Sequence, residues 1–279
     1  MRDEGVLKRI ADAAGLTGDD IVLEIGTGSG NLTKYLCEKA KFVYTVEKDT
    51  RLCRAAEENL KGIENVKIIC DDILHVIARS PEGATKQSPC SKEIASLTSF
   101  ARNDADGRLK IIGNLPYYIT TPIIFKLLDQ RRYISDIIIM IQKEVAQRIV
   151  ASPGGKDYGI LSCSVQFYTE PHILFCVGKG KFYPQPKVDS VLLRLKILEK
   201  PAVAVKNEEN FLKVVKAAFS QRRKTLLNSL CGRLHLKKED VESVLHKCGI
   251  EPKRRAETLS LAEFAKICYN IKTRENHEI

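Results

Sequence analysis

The chain has 279 residues, 45 Lys+Arg against 35 Asp+Glu, and 44% hydrophobic with 29% charged residues. That length suits one large domain or a large and a small one, and the composition excludes collagen-like repeats, coiled coil and wholesale disorder. The formal charge is +10, with 17 Lys+Arg against 10 Asp+Glu between residues 200 and 279, a bias that fits either a polyanionic partner or solvated helix faces.

In chain order, the apolar runs 20–25, 42–46, 66–70 and 109–112 alternate with helical patterns, as in a parallel sheet with helical crossovers. Residues 134–141 are almost continuously apolar, which predicts a central strand covered on both faces. Two further runs, 161–168 and 172–177, are separated only by Thr169-Glu170-Pro171. A crossover helix does not fit there, so a hairpin edge is expected. Residues 79–108 replace periodic apolar positions with Ser, Thr, Pro, Asn, Asp and Gly, and read as an exposed insertion with a short helix around 92–100. After a run at 188–196 and a linker over 198–210, the pattern is helical at 211–219, 224–230, 238–248 and 261–271. The expected organisation is an α/β domain over 1–198 and a small all-helical domain over 199–279.

No apolar run approaches the roughly 20 residues of a membrane span, and Met1-Arg2-Asp3-Glu4 is charged where a signal peptide is apolar. A cytoplasmic protein is expected. Nine cysteines without a C-x-x-C pattern point to reduced thiols, and no metal site is indicated.

Gly26-x-Gly28-x-Gly30 lies between a strand and a helix, where glycine lets backbone lie against a ligand. Alone this is an ordinary turn. Glu47 ends the second strand about 20 residues later, where a carboxylate can accept both ribose hydroxyls of a nucleoside. The G-x-G-x-G spacing is not the G-x-G-x-x-G of a pyrophosphate cradle, and Glu24 adds a further acid, so a cofactor without phosphates is favoured over NAD. Asp71-Asp72 follows the third strand; Asp72 can accept from an adenine amine or cap a helix. Gly113-Asn114-Leu115-Pro116-Tyr117-Tyr118 ends the fourth. Its amide oxygen, proline-fixed carbonyls and ring together make a socket for a planar base bearing an amine.

With these stand Met140-Ile141-Gln142-Lys143-Glu144-Val145-Ala146, Phe182-Tyr183-Pro184-Gln185-Pro186-Lys187-Val188-Asp189-Ser190 and Phe219-Ser220-Gln221-Arg222-Arg223-Lys224. In this order the motifs resemble those of the ribosomal RNA small-subunit adenine N6,N6-dimethyltransferases, the KsgA/RsmA family, over nearly the whole chain. The resemblance implies a Rossmann-like class I methyltransferase with a seven-stranded, mostly parallel sheet, S-adenosylmethionine as cofactor, and two adjacent adenines of small-subunit ribosomal RNA as substrate. By position it implies cofactor binding by Gly26, Gly28, Glu47, Lys48, Asp72, Ile73 and Asn114. Asn114, Leu115, Pro116, Tyr117 and Phe182 would hold the target adenine, and Arg222, Arg223, Lys224, Lys253, Arg254 and Arg255 would contact RNA phosphates. A monomer is expected. The family's Gln-Asn/His-Phe-Leu segment ahead of the first helix has no counterpart here, from which a truncated start and weaker cofactor binding are expected. A large-subunit ribosomal RNA methyltransferase, a DNA adenine methyltransferase and a non-catalytic assembly or transcription factor are the competing readings.

Overall fold

The structure is a computed structural model that describes residues 3–78, 108–221 and 223–271. The expected insertion therefore lies outside the described residues, apart from residue 108.

Helix α1 (Glu4–Ala13) starts where the Asp3 carboxylate accepts from the Val6 N–H at 3.0 Å, and it buries Leu7, Ile10 and Ala11. Then follow β1 (Ile21–Ile25), α2 (Asn31–Cys37), β2 (Phe42–Glu47), α3 (Thr50–Asn59), β3 (Val66–Cys70), α4 (Ile73–Ala78), β4 (Leu109–Asn114), α5 (Thr120–Asp129) and β5 (Ile134–Gln142). Strands β1 to β5 pair in parallel, and β7 (Ser190–Ile197) lies antiparallel to β5. The seven-stranded order is β3-β2-β1-β4-β5-β7-β6, with β6 (Thr169–Val177) at one edge. Every residue of β1 is buried, as are all but Ser135 and Gln142 of β5. Both therefore read as continuous apolar runs, because helices cover both faces of a parallel sheet.

Strand order reverses between β1 and β4, the switch point beside which open α/β sheets bind ligands at the strand carboxyl ends. Gly113 allows the close pairing there: a Cβ at this position would lie 2.4 Å from the Ile25 carbonyl oxygen.

Three expectations are corrected. Residues 161–168 are not a strand: α7 (Ile160–Tyr168) is a helix with Leu161 to Val165, Phe167 and Tyr168 all buried. Burial on all sides removes the 3.6-residue polar stripe that distinguishes a helix from a buried strand. The non-parallel edge is made instead by β6 and β7. Second, described residues up to Ala146 form one compact unit with Glu170–Ile197, whereas Gln147–Thr169 group with the chain from Leu198 onward. The second unit thus extends beyond the expected 199–279, because Phe167 of α7 stacks on Phe211 with ring centroids 4.2 Å apart. Third, Cys53 on α3 and Cys70 at the end of β3 form a disulfide, with Cα atoms 6.1 Å apart. The β2–β3 crossover folds α3 back over its strand and brings together two cysteines that have no local motif.

Helix α6 (Lys143–Val150) spans the division after Ala146, and in the second unit α7 is followed by α8 (Glu208–Ala218), α9 (Leu226–Leu234), α10 (Lys238–Lys247) and α11 (Leu261–Asn270). Phe219 bridges Tyr158 and Phe264, with centroids 6.2 and 5.9 Å away. The 198–210 linker is tied down by Leu198 N–H donating to the Tyr168 carbonyl at 3.0 Å and Ala202 N–H to that of Phe167 at 2.9 Å. No helix among the described residues is long and apolar enough to cross a membrane.

Candidate active site

Two clefts lie at the carboxyl edge of the sheet. The first, of about 300 Å³, is lined by Gly26, Glu47, Lys48, Asp72, Ile73 and Pro116 among others. The second, of about 280 Å³, is lined by Asn114, Leu115, Pro116, Tyr117, Phe182, Tyr183, Pro184 and Pro186. Pro116 is the one residue lining both.

The glycine turn after β1 is held from beneath. Gly26 has φ +83°, and a Cβ there would meet the Asn114 carbonyl oxygen at 3.1 Å. Glycine is thus required by both the left-handed backbone and the contact. The Glu24 carboxylate, fully buried, accepts at Oε2 from Thr33 Oγ1 at 2.6 Å and Thr45 Oγ1 at 2.7 Å. Thr45 in turn shares a 2.5 Å hydrogen bond with Thr27 of the turn. Glu24 Oε1 has no hydrogen-bond partner among the described residues, and burial pushes the carboxyl up to about 7.

Glu47, at the end of β2, is half-buried and oriented by backbone. Its Oε2 accepts from Gly28 N–H at 2.9 Å, and its Oε1 from the N–H groups of Lys48 and Asp49 at 2.9 and 3.0 Å. A carboxylate has about four acceptor positions, and these three bonds leave acceptor capacity on Oε2 of a side chain that lines the cleft. Gly28 does not line the cleft and acts through this bond. Asp72 accepts from Leu74 N–H at 2.9 Å as a helix cap and from Lys48 Nζ at 2.8 Å. The Lys48 ammonium holds the Asp72 carboxyl below the usual carboxylate range, and Asp72 raises Lys48 in return. The cap and the cleft-facing acid are therefore the same side chain.

These groups suit an adenosine bearing no phosphate. Two carboxylates sit at adjacent strand ends, the buried Ile73 supplies an apolar wall, and the one lysine in the lining is already neutralised by Asp72.

In the second cleft Leu115 N–H donates to the Met140 carbonyl at 3.1 Å, which fixes the turn against β5. The Pro116 carbonyl accepts from Ile119 N–H at 3.2 Å and Thr120 Oγ1 at 3.0 Å. With both lone pairs used, Pro116 is not a further acceptor, and Asn114 and Leu115 remain for an incoming amine. Tyr117 is half-buried, and its hydroxyl bonds the fully buried Ser190 Oγ at 2.7 Å. Phe182 is half-buried, packing on the core from one side and lining the cleft with the other. Ser190 escapes a reading of the sequence because its partner lies 73 residues away; the serine closing the Phe182–Ser190 motif was the only signal.

None of the described residues expected at RNA is among those lining the two clefts. Arg223, Lys224, Lys253 and Arg255 are exposed. Arg254 is instead committed within its unit, to Glu263 Oε1 at 2.5 Å and the Thr258 carbonyl at 2.7 Å. Arg222 lies outside the described residues.

Comparison with known proteins identifies the family. The sequence pattern of the family described as "Ribosomal RNA adenine dimethylase" matches residues 1–272. The chain is 44% identical over 268 residues to ribosomal RNA small subunit methyltransferase A of Geobacillus thermodenitrificans, covering 95% of this chain and 86% of that protein. It is likewise 44% identical over 266 residues to the protein of that name from Caldanaerobacter subterraneus, covering 95% and 91%. Its fold is that of a dimethyladenosine transferase from Plasmodium falciparum (TM-score 0.72, 24% identity, 96% and 95% covered) and of the 23S rRNA methyltransferase ErmE (0.67, 24%, 96% and 97%). Matched over residues 1–272 by that family's pattern and 44% identical to such a relative over 95% of its length, this chain belongs to the ribosomal RNA adenine dimethylase family.

Proposed function

We propose that this enzyme transfers methyl groups from S-adenosylmethionine to N6 of two adjacent adenines near the 3′ end of small-subunit ribosomal RNA, and that it does so as a cytoplasmic monomer without a metal. The observation that carries the reading is the pair of clefts meeting at Pro116, with acids suited to an adenosine on one side and amine acceptors on the other.

When bound, S-adenosylmethionine supplies an activated methyl on a sulfonium, so alignment does most of the catalytic work. Glu47 accepts the ribose hydroxyls, Asp72 the adenine amine of the cofactor, and Gly26 admits its amino-acid part. Lys48 and Ile73 flank these contacts, and Asn114 sits at the junction of cofactor and target.

The target's N6 amine is a weak nucleophile because its lone pair is delocalised into the ring. The Asn114 amide oxygen and the Leu115 carbonyl accept its two N–H bonds in a geometry that suits a tetrahedral nitrogen. Lone-pair density then returns to nitrogen as the methyl arrives, a stabilisation greater in the transition state than in the ground state. Tyr117, its ring held by Ser190, stacks on one face of the base and Phe182 closes the other; such stacking contributes about 1–3 kcal/mol per base. Arg223, Lys224, Lys253 and Arg255 neutralise RNA phosphates, with Arg222 beside them in sequence; Arg254 ties Thr258 to Glu263 of α11.

The deciding assay is labelled methyl transfer to unmethylated small ribosomal subunits, with large subunits and duplex DNA in parallel. Dimethyladenine formed on small subunits alone is the expected result. Product on large subunits would establish the large-subunit reading, and cofactor binding without transfer to any substrate would establish an assembly factor.

A further inference from the structure

The Cys53–Cys70 disulfide brackets one of the cleft acids. Cys70 ends β3 as the ladder partner of Glu47 at the end of β2, and Asp72 stands two residues further on. Cys53, on α3, has its Sγ 3.5 Å from the Glu47 carbonyl oxygen, and its N–H donates to the Asp49 carbonyl at 2.9 Å. The bridge thus ties together the two backbone segments that present Glu47 and Asp72. Those segments also supply the N–H groups that aim the acids, Lys48 and Asp49 toward Glu47 and Leu74 toward Asp72.

Its two ends differ in access. Cys53 is only 1% exposed, whereas Cys70 is open to solvent. A small thiol can reach the Cys70 sulfur, and the thiolate it displaces, Cys53, lies near the amino end of α3, where helix N–H groups favour the anion. The pairing is selective, because six other cysteines among the described residues are free, the exposed Cys176 included. In the cytoplasm proposed above, which small thiols keep reduced, a bridge of this kind is conditional and not permanent.

We propose that Cys53 and Cys70 form a reversible thiol–disulfide site that sets the affinity of the cofactor cleft, higher with the bridge closed and lower with it open. This rests on the reading of the first cleft as the S-adenosylmethionine site. Opening takes two small thiols of the glutathione class. The first forms a mixed disulfide at Cys70 and releases Cys53, and the second frees Cys70, so the protein gains two electrons and two protons while the thiols leave as their own disulfide. Closing is the reverse, with that disulfide as oxidant. In the open form the two acids are no longer held together before the cofactor arrives, and the cost of ordering them is subtracted from its affinity.

The test uses the full chain, oxidised with glutathione disulfide or reduced with dithiothreitol, the state of the bridge being read by mass spectrometry. S-adenosylmethionine affinity by calorimetry should be about fivefold higher in the oxidised form, at the lower end of ordinary coupling between sites. Cys70→Ser should show the reduced value under both treatments, and Cys176→Ser should follow the wild type. By reciprocity, saturating cofactor should shift the thiol–disulfide equilibrium of the bridge toward closure by the same factor. Equal affinities in the two verified states, or no bridge formed in excess glutathione disulfide, would overturn the proposal. If neither state binds S-adenosylmethionine, the cofactor reading itself falls. Amide hydrogen exchange at Lys48, Asp49 and Leu74 then decides the coupling: faster exchange in the reduced chain upholds it, and equal exchange rejects it.

Discussion

Asn114 ends β4, and its side chain is the only amide among the described residues that line the base cleft. Replacing it with alanine should lower kcat by roughly 100-fold, as for loss of a single transition-state hydrogen-bonding group, and change S-adenosylmethionine affinity by less than threefold; calorimetry beside single-turnover rates checks the split. Beneath it, Glu24 imposes a pH dependence. Its carboxyl is raised from 4.5 to about 7 by burial, so the folded chain holds this proton more tightly than the unfolded one. The stability it contributes is full below about pH 4.5 and is lost as pH rises through about 7. Glu24→Gln, which keeps the shape and removes the titration, should flatten the stability profile across that window in urea unfolding followed at several pH values. An unchanged slope would mean that Glu24 titrates normally.

At the scale of elements, β5 and β7 carry an ion pair inside the sheet. Asp136, with only 6% of its side chain exposed, accepts from Arg194 Nε at 3.0 Å and also from its Nη2. Removing the cation strands a buried carboxylate. Arg194→Leu should therefore cost roughly 2 kcal/mol, less than a fully enclosed pair because the Arg194 side chain is 39% exposed; the shift in urea midpoint measures it. This pair, like Tyr117 with Ser190 and Cys53 with Cys70, was invisible in the sequence, since each joins positions that only the sheet order brings together. Strand-end residues such as Glu47, Asp72 and Asn114 were legible because each follows an apolar run of strand length and sits in a recognisable local pattern. Helix α7 was not, because its uniform burial erases the period that separates helix from strand. The same burial explains why 147–169 were assigned to the wrong compact unit.

For the whole molecule, charge is divided by task. The sheet unit concentrates acids at its cleft, and the last 80 residues hold most of the basic excess. Reversing Arg223 and Lys224 to glutamate should weaken binding to small subunits several-fold at low salt, lessen the steepness with which salt weakens it, and leave cofactor affinity unchanged; titrations at several salt concentrations check this. If the two residues only solvate a helix end, none of these values moves.

The partition at Pro116 has a kinetic consequence. The two clefts share only that residue among their described linings, and with the roles proposed above this predicts that a spent cofactor leaves and a fresh one enters while the half-finished base stays at Asn114. Turnover should then be processive: an isotope chase added after the first transfer should yield doubly methylated adenine carrying one old and one new methyl on the same nitrogen, with little singly methylated product released.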